Sequence, residues 1–192
     1  MKRIVLTYGL IAGLIVSAFM ATSMLTLAGD ASFEHGATAM IVGYLGMLIS
    51  FAFIFVAVKA YRDKENGGLI SFGKAFRIGL FISLIASTIY VITWAVVYHT
   101  WLPNFMEQYC AAEIRKASTS LSGPALQAKI AEINQGKEMY AKPLGYTLMT
   151  YAEILPVGLL VSLVAAAILK RRSRPSISQR STTAVPAHEA DL

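Results

Sequence analysis

Four stretches of this sequence are long, apolar and almost free of charge. They are residues 4–28, 37–58, 78–102 and 144–169. An apolar helix of about 20 residues, rising about 1.5 Å per residue, crosses the roughly 30 Å hydrocarbon core of a bilayer. Only helices and closed barrels satisfy the backbone in lipid, and the short alternating segments of a barrel are absent. The pattern therefore predicts four transmembrane helices.

The composition supports this interpretation. Apolar residues make up 56% of the 192 residues and charged residues only 15%, whereas about a quarter of an average soluble domain is charged. A single cysteine cannot form an internal disulfide. We therefore predict an all-α integral membrane four-helix bundle over residues 1–170, followed by a disordered, basic cytoplasmic tail over residues 171–192.

The first apolar stretch follows Lys2 and Arg3, as the core of a secretory signal peptide also would. It runs for 25 residues, whereas a signal core has about 7 to 15. Its exit, Thr26-Leu27-Ala28, is a poor cleavage site. We expect the segment to be retained as a helix.

Lysine and arginine are distributed unequally between the two sides of the predicted bundle. Twelve fall in the N-terminus, the connection between the second and third spans, and the tail, and five fall in the long connection between the third and fourth spans. Because positive residues accumulate in cytoplasmic loops, both termini are predicted to be cytoplasmic. The net charge of +6 then reflects topology and attraction to lipid. No nucleic-acid partner is expected, since no basic stripe with stacking aromatics exists.

The long connection is predicted to form a helical hairpin over about residues 104–141, outside the membrane. Asn104 is a candidate cap for its first helix, and Pro124 fits the start of the second, capped by Ser122. Apolar residues recur at helical spacing in both helices. In the second helix these are Leu126, Ile130, Ile133, Met139 and Tyr140, with Lys137 on the same face.

The cytoplasmic connection ends in a segment with two distinct faces. Phe72 and Phe76 are four residues apart, and Lys74 and Arg77 are three apart, as in a helix that begins among lipid headgroups. The two cations are candidates for contact with an anion or a lipid. Either they anchor the helix at the interface, or they form a binding site for an anionic lipid or ligand.

Four motifs in order resemble a known family. They are LISFGKAFRIG at 69–79, PNFME at 103–107, KEMY at 137–140 and YAEILPVGL at 151–159. The chain resembles the family named domain of unknown function 4199 over nearly its whole length. This resemblance implies a small four-span protein of the bacterial inner (cytoplasmic) membrane with no established activity, and it brings no catalytic residues.

Glu153 is the strongest candidate for chemistry, because it is a carboxyl group near the middle of the fourth span. An acidic side chain there costs at least about 2.5 kcal/mol, so it is expected to face the bundle and to be hydrogen-bonded or protonated. Pro156 removes a backbone donor and frees the carbonyl of Ala152. The pair fits either a structural polar lock or a proton or cation transport site. The expected partners of Glu153 are Ser17, Thr22, Ser87, Thr88 and Thr93.

Small residues indicate close helix packing. Gly9 and Gly13 are four residues apart in the first span, and Ser17 continues the series. Gly43 and Gly46 reduce the side-chain volume on one side of the second span. Such spacing lets helix backbones approach closely. The contacts could lie within one chain or between two copies.

Aromatic residues follow helical spacing toward the outer end of the third span, at Tyr90, Trp94, Tyr98 and Trp101. This spacing indicates an interfacial aromatic belt, with a ligand-stacking wall as the alternative.

No catalytic or cofactor motif is present, so we expect neither enzymatic activity nor a cofactor. His35, His99, Glu34 and Glu107 could meet at the outer surface, but nothing in their spacing brings them together, and no metal site is predicted. Cys110 reads as a spare thiol or as a bridge to another chain.

Two hypotheses follow from this pattern. One is a structural or accessory protein that presents the outer hairpin to a partner. The alternative is a small carrier or channel subunit with a proton or cation site at Glu153. The expected partners are the lipid bilayer and either a second copy or another membrane protein.

Overall fold

The computed structural model describes residues 1–27 and 37–171. Seven α-helices follow one another, and a π-helical turn, Tyr61–Glu65, lies between the third and fourth. The helices are α1 Lys2–Leu27, α2 Ala37–Phe51, α3 Phe53–Ala60, α4 Phe72–Thr100, α5 Phe105–Ser120, α6 Gly123–Tyr140 and α7 Pro143–Leu169.

Among the described residues, four helical segments are long and apolar enough to cross a membrane, which confirms the predicted all-α membrane bundle. They are Lys2–Leu25, Ile41–Glu65, Phe72–Thr100 and Pro143–Leu169. From residue 172 onward the predicted tail lies outside the described residues.

The second span is longer than its apolar pattern predicted. Its helical structure continues beyond residue 58 through the π-helical turn that ends at Glu65. The N–H of Ala52 donates to both Leu48 (3.0 Å) and Ile49 (3.2 Å). This tighter turn separates α2 from α3 without ending the span.

Helix α4 lies at the centre of the bundle and packs against α1, α3 and α7. It begins at Phe72, and the N-cap residue Ser71 accepts the N–H of Lys74 through its Oγ at 3.4 Å, which satisfies an orphan donor. The core is apolar, and its largest fully buried side chains include Phe51, Ile54, Ile78, Ile82 and Ile154.

Gly9 and Gly13 bring α1 close to α4 within one chain. A Cβ at Gly9 would lie 3.0 Å from Ile85, and one at Gly13 would lie 2.6 Å from Ile89. The pair is therefore occupied by an intramolecular contact and does not present a free face to a second copy.

The second pair of predicted packing glycines behaves differently. Gly46 lies against the ring of Phe19 in α1. A Cβ at Gly43 would meet nothing within 4 Å among the described residues, so the structure shows no close contact for it within one chain. Packing of Gly43 against a second copy stays a prediction.

The contact between α4 and α7 combines two glycines with two serines. The hydroxyl oxygens of Ser83 and Ser162 lie 3.2 Å apart, and each hydroxyl also lies within hydrogen-bond distance of a carbonyl in its own helix. Because each hydroxyl has one hydrogen, the bond across the seam forms when one serine donates to the other, which in turn donates within its own helix. A Cβ at Gly79 would lie 2.6 Å from Ser162, and one at Gly158 would lie 2.7 Å from Ser83. This four-residue seam was not predicted, although both serines follow their glycines by four residues, as in the series that begins at Gly9.

Candidate functional site

Glu153 lies on α7, about 15 Å from the start of the helix at the usual rise per residue. Its side chain is exposed on the flank of the bundle. The prediction that it faces the interior is wrong, because α7 buries the side that carries Thr150, Ile154 and Gly158. Glu153 precedes Ile154 and is rotated by about 100° around the helix axis.

None of the predicted polar partners contacts the carboxyl group. Within residues 1–27 and 37–171, Glu153 forms no hydrogen bond or ion pair. Thr88 donates to Leu84 (2.8 Å) and lies 2.8 Å from the hydroxyl of Tyr151. Ser87 is fully buried, and its hydroxyl has no partner in the described chain. The geometry gives no support to a polar lock inside the bundle.

Pro156 lies within α7, which continues as a helix on both sides of it. Because proline has no N–H, the carbonyl of Ala152 lacks its usual intrahelical donor. Ala152, Glu153 and Pro156 are all exposed. This part of α7 therefore presents acceptor oxygens that could hold a proton or accept a hydrogen bond from outside the bundle.

Five aromatic residues at one end of the bundle, Trp94, Tyr98, Phe105, Tyr140 and Tyr146, form a cluster that we call the aromatic latch. Trp94 Nε1 donates to the hydroxyl of Tyr140 at 2.5 Å, and the Trp94 ring meets that of Phe105 edge-on at 5.2 Å. Tyr140 also meets Tyr98 at 5.6 Å and Tyr146 at 5.1 Å. The latch joins α4, α5, α6 and α7.

This cluster corrects the prediction of an aromatic belt. Trp94 is only 7% exposed and Tyr90 only 6%, whereas Trp101 is 58% exposed. Most of the predicted belt therefore packs inside the protein. Burial raises the pKa of Tyr140 to about 12, so its hydroxyl stays protonated at neutral pH.

Helices α5 and α6 pack against each other. Cys110 and Ala117 are buried on α5, and the predicted stripe of α6 is half-buried except at Met139, which is exposed. Lys137 lies 3.7 Å from Glu107 across the pair. Burial raises the pKa of the Cys110 thiol, as expected for an unreactive cysteine.

The predicted side-chain caps of the two hairpin helices are wrong. Asn104 and Ser122 occupy the capping positions, but neither side chain accepts a backbone N–H. At Asn104 the backbone carbonyl accepts from Gln108 at 3.1 Å. At Ser122 the second residue of the helix is Pro124, which has no N–H to donate.

A family model described as "Protein of unknown function (DUF4199)" matches residues 7–171. The chain belongs to the DUF4199 family. This membership confirms the resemblance inferred from the four motifs. No curated protein and no solved structure matches the chain. The DUF4199 match ends at Arg171, which pairs with Ile70 through two backbone hydrogen bonds of 2.8 and 2.9 Å.

At the end of this DUF4199 bundle away from the hairpin, the structure separates the two predicted anion contacts. Lys74 Nζ donates to Asn66 Oδ1 at 3.2 Å and lies 5.1 Å from the ring centre of Tyr61. Arg77 is exposed and has no ion pair among the described residues. Lys74 thus stabilises the connection between spans, whereas Arg77 is exposed. Contact of either cation with an anion or a lipid stays a prediction.

Phe72 and Phe76 lie side by side with their rings stacked 6.3 Å apart, which confirms their predicted common face. No group of three metal-ligating side chains occurs in the described part of the chain. Glu34 and His35, two of the residues considered for such a group, lie outside it.

Proposed function

We propose that the protein is a structural or accessory membrane protein that presents the α5–α6 hairpin to another membrane protein and acts without catalysis. The aromatic latch is the observation that carries this proposal. It ties both hairpin helices to α4 and α7 through ring contacts and the bond from Trp94 to Tyr140. A latched hairpin keeps one orientation relative to the membrane, which a docking surface requires.

The hairpin surface suits a protein partner. Its exposed side chains include both signs of charge, such as Lys116 and Glu138, together with three large apolar groups at Tyr109, Leu121 and Met139. Leu121 lies at the tip, where α5 ends and α6 begins. Leu121 thus gives the tip of the hairpin an exposed apolar side chain that a bound partner would cover.

The test uses a photo-crosslinking amino acid placed at Leu121 in the full chain, with Ile92 on the exposed face of α4 as the control position. The proposal predicts a discrete heavier adduct in native membranes from position 121 and none of that mass from position 92. The same adducts from both positions, or no adduct from position 121, would contradict it.

We further propose that the protein lies in a bacterial inner membrane with both termini in the cytoplasm. Twelve lysines and arginines on the predicted cytoplasmic side, against five in the long outer connection, support this orientation. In a Cys110→Ser background, Leu121→Cys should react with an impermeant maleimide in intact cells. Lys64→Cys, in the opposite connection, should react only after the inner membrane is permeabilised. The reverse pattern would invert the topology.

A second candidate function is a small carrier or channel subunit, which the exposed carboxyl group of Glu153 beside Pro156 favours. In vesicles that contain the purified protein, a pH-sensitive dye in the lumen should then report acidification when a potential is imposed. Glu153→Gln should abolish this proton flux. Wild-type flux equal to that of empty vesicles would exclude the candidate.

A further inference from the structure

One flank of the bundle, between α2 and α7, leaves two polar residues uncovered. We call it the open flank and define it by Tyr44, Glu153 and Leu160. Tyr44 is 44% exposed and Leu160 59% exposed, and Glu153 is exposed.

Tyr44 and Glu153 lie at nearly the same depth. As alternate spans of the chain, α2 and α7 run in the same direction, and Phe51 lies beside Gly158 where they meet. Tyr44 precedes Phe51 by seven residues, and Glu153 precedes Gly158 by five. The two-residue difference corresponds to about 3 Å along the helix axes.

Seven residues are about two helical turns, so Tyr44 lies on the side of α2 that carries Phe51 toward α7. Glu153 lies at the edge of the buried side of α7, about 100° around the axis from the buried Ile154. Tyr44 and Glu153 do not hydrogen-bond each other within one chain of the described structure.

In a single copy, the carboxyl group of Glu153 therefore lies within a membrane span without a partner, and the hydroxyl donor of Tyr44 lies at nearly the same depth. An acidic side chain at this depth is expensive and is usually paired. In a parallel pair of chains related by a two-fold axis along the membrane normal, residues at equal depth face one another. A donor and an acceptor at one depth on one face are then complementary to a second copy of the same face.

We propose that a second copy of this chain docks on the open flank, with the Tyr44 hydroxyl of each copy donating to the Glu153 carboxyl of the other. This pairing goes beyond the proposed hairpin function and does not depend on it, since α5 and α6 take no part.

The test is disulfide cross-linking of single cysteines in native membranes. The only natural cysteine is Cys110, and Cys110→Ser removes it. Leu160→Cys lies on the open flank, two turns from Glu153, and Ile92→Cys lies on α4. Both native side chains are 59% exposed, which makes the two positions a matched pair. Oxidation should give a dimer from position 160 and only monomer from position 92.

The polar pair is tested in the Leu160→Cys background. Tyr44→Phe removes the donor and Glu153→Leu removes the acceptor, so each should lower the cross-linked fraction about three- to tenfold. Glu153→Gln keeps an acceptor and should retain the dimer. The thermal transition of each variant shows whether the chain still folds.

Three results would overturn the pairing. One is equal cross-linking at positions 92 and 160. Another is an undiminished dimer in folded Tyr44→Phe and Glu153→Leu. The third is an adduct at position 160 whose mass is not that of two copies, because a different protein would then cover the flank.

Discussion

Gly158 and Gly43 show how differently two regions of this bundle use a missing side chain. A Cβ at Gly158 would lie 2.7 Å from Ser83 and 2.9 Å from Phe51, whereas one at Gly43 would meet nothing within 4 Å among the described residues. The α4–α7 seam is therefore closed at Gly158, and α2 is not closely packed at Gly43. The same residue type thus marks a tight contact in one place and a gap in the other.

The largest expected effect separates these two glycines directly. Gly158→Ala should lower the free energy of unfolding by about 1 to 3 kcal/mol, because its methyl group would overlap Ser83 and Phe51. Gly43→Ala should change it by no more than about 0.5 kcal/mol. Thermal unfolding of both variants in the same detergent measures the difference. Equal destabilisation would show that α2 is packed as closely at Gly43 as α7 is at Gly158.

The next effect concerns the latch that fixes the hairpin. Tyr140→Phe keeps the ring but leaves the buried N–H of Trp94 without its acceptor, at a cost of about 1 to 3 kcal/mol. Tyr98→Phe is the control, since the Tyr98 hydroxyl forms no hydrogen bond in the described chain.

A Trp101→Phe background leaves Trp94 as the one tryptophan, so its fluorescence reports the latch alone. Tyr140→Phe should shift the Trp94 emission and lower the melting temperature, and Tyr98→Phe should do neither to the same extent. Matching changes in the two variants would mean that ring packing, and not the hydrogen bond, holds the hairpin.

A smaller effect is expected from the serine pair in the closed seam. Ser83→Ala removes the contact with Ser162, and hydrogen bonds between membrane helices contribute about 0.6 kcal/mol on average. A double-mutant cycle with Ser162→Ala should give a coupling of that size. Ser118→Ala is a control, since Ser118 bonds only within its own helix. A coupling free energy of zero would show that the close approach at the glycines, and not the serine hydrogen bond, stabilises the α4–α7 seam.

The smallest effect concerns the packed hairpin. Because burial raises the pKa of the Cys110 thiol, less thiolate is present at any given pH than for an exposed cysteine. Alkylation of Cys110 at pH 8 should therefore be slower than alkylation of Leu121→Cys in a Cys110→Ser background, and its rate should keep rising to higher pH. Coinciding pH profiles would show that the α5–α6 contact opens freely.

The sequence predicted the four spans well, because length and lack of charge are sufficient to identify a membrane helix. It did not predict which side of each helix is buried, since lipid is as apolar as the core and leaves no amphipathic pattern to read. Glu153 was therefore assigned to the wrong side of α7. For the same reason, Tyr90 and Trp94 were predicted to lie in an interfacial aromatic belt, whereas both pack inside the protein.

Small-residue spacing was the signal that did encode packing. It located the contacts of Gly9 and Gly13. The same four-residue spacing relates Gly79 to Ser83 and Gly158 to Ser162, so the α4–α7 contact was also predictable. The pairing of Lys74 with Asn66 and Tyr61 could not have been predicted. This pairing depends on the path of the connection between the second and third spans, which the spacing of apolar residues does not predict.

Counting the copies of the chain in a membrane tests the central claim most directly. Full-length protein carrying one fluorophore, reconstituted in vesicles at low density, should bleach predominantly in two steps. Folded Tyr44→Phe and Glu153→Leu variants should shift toward one step, while Glu153→Gln should not. Single-step bleaching of the wild-type protein would show that the open flank faces lipid and that the proposed pairing is wrong.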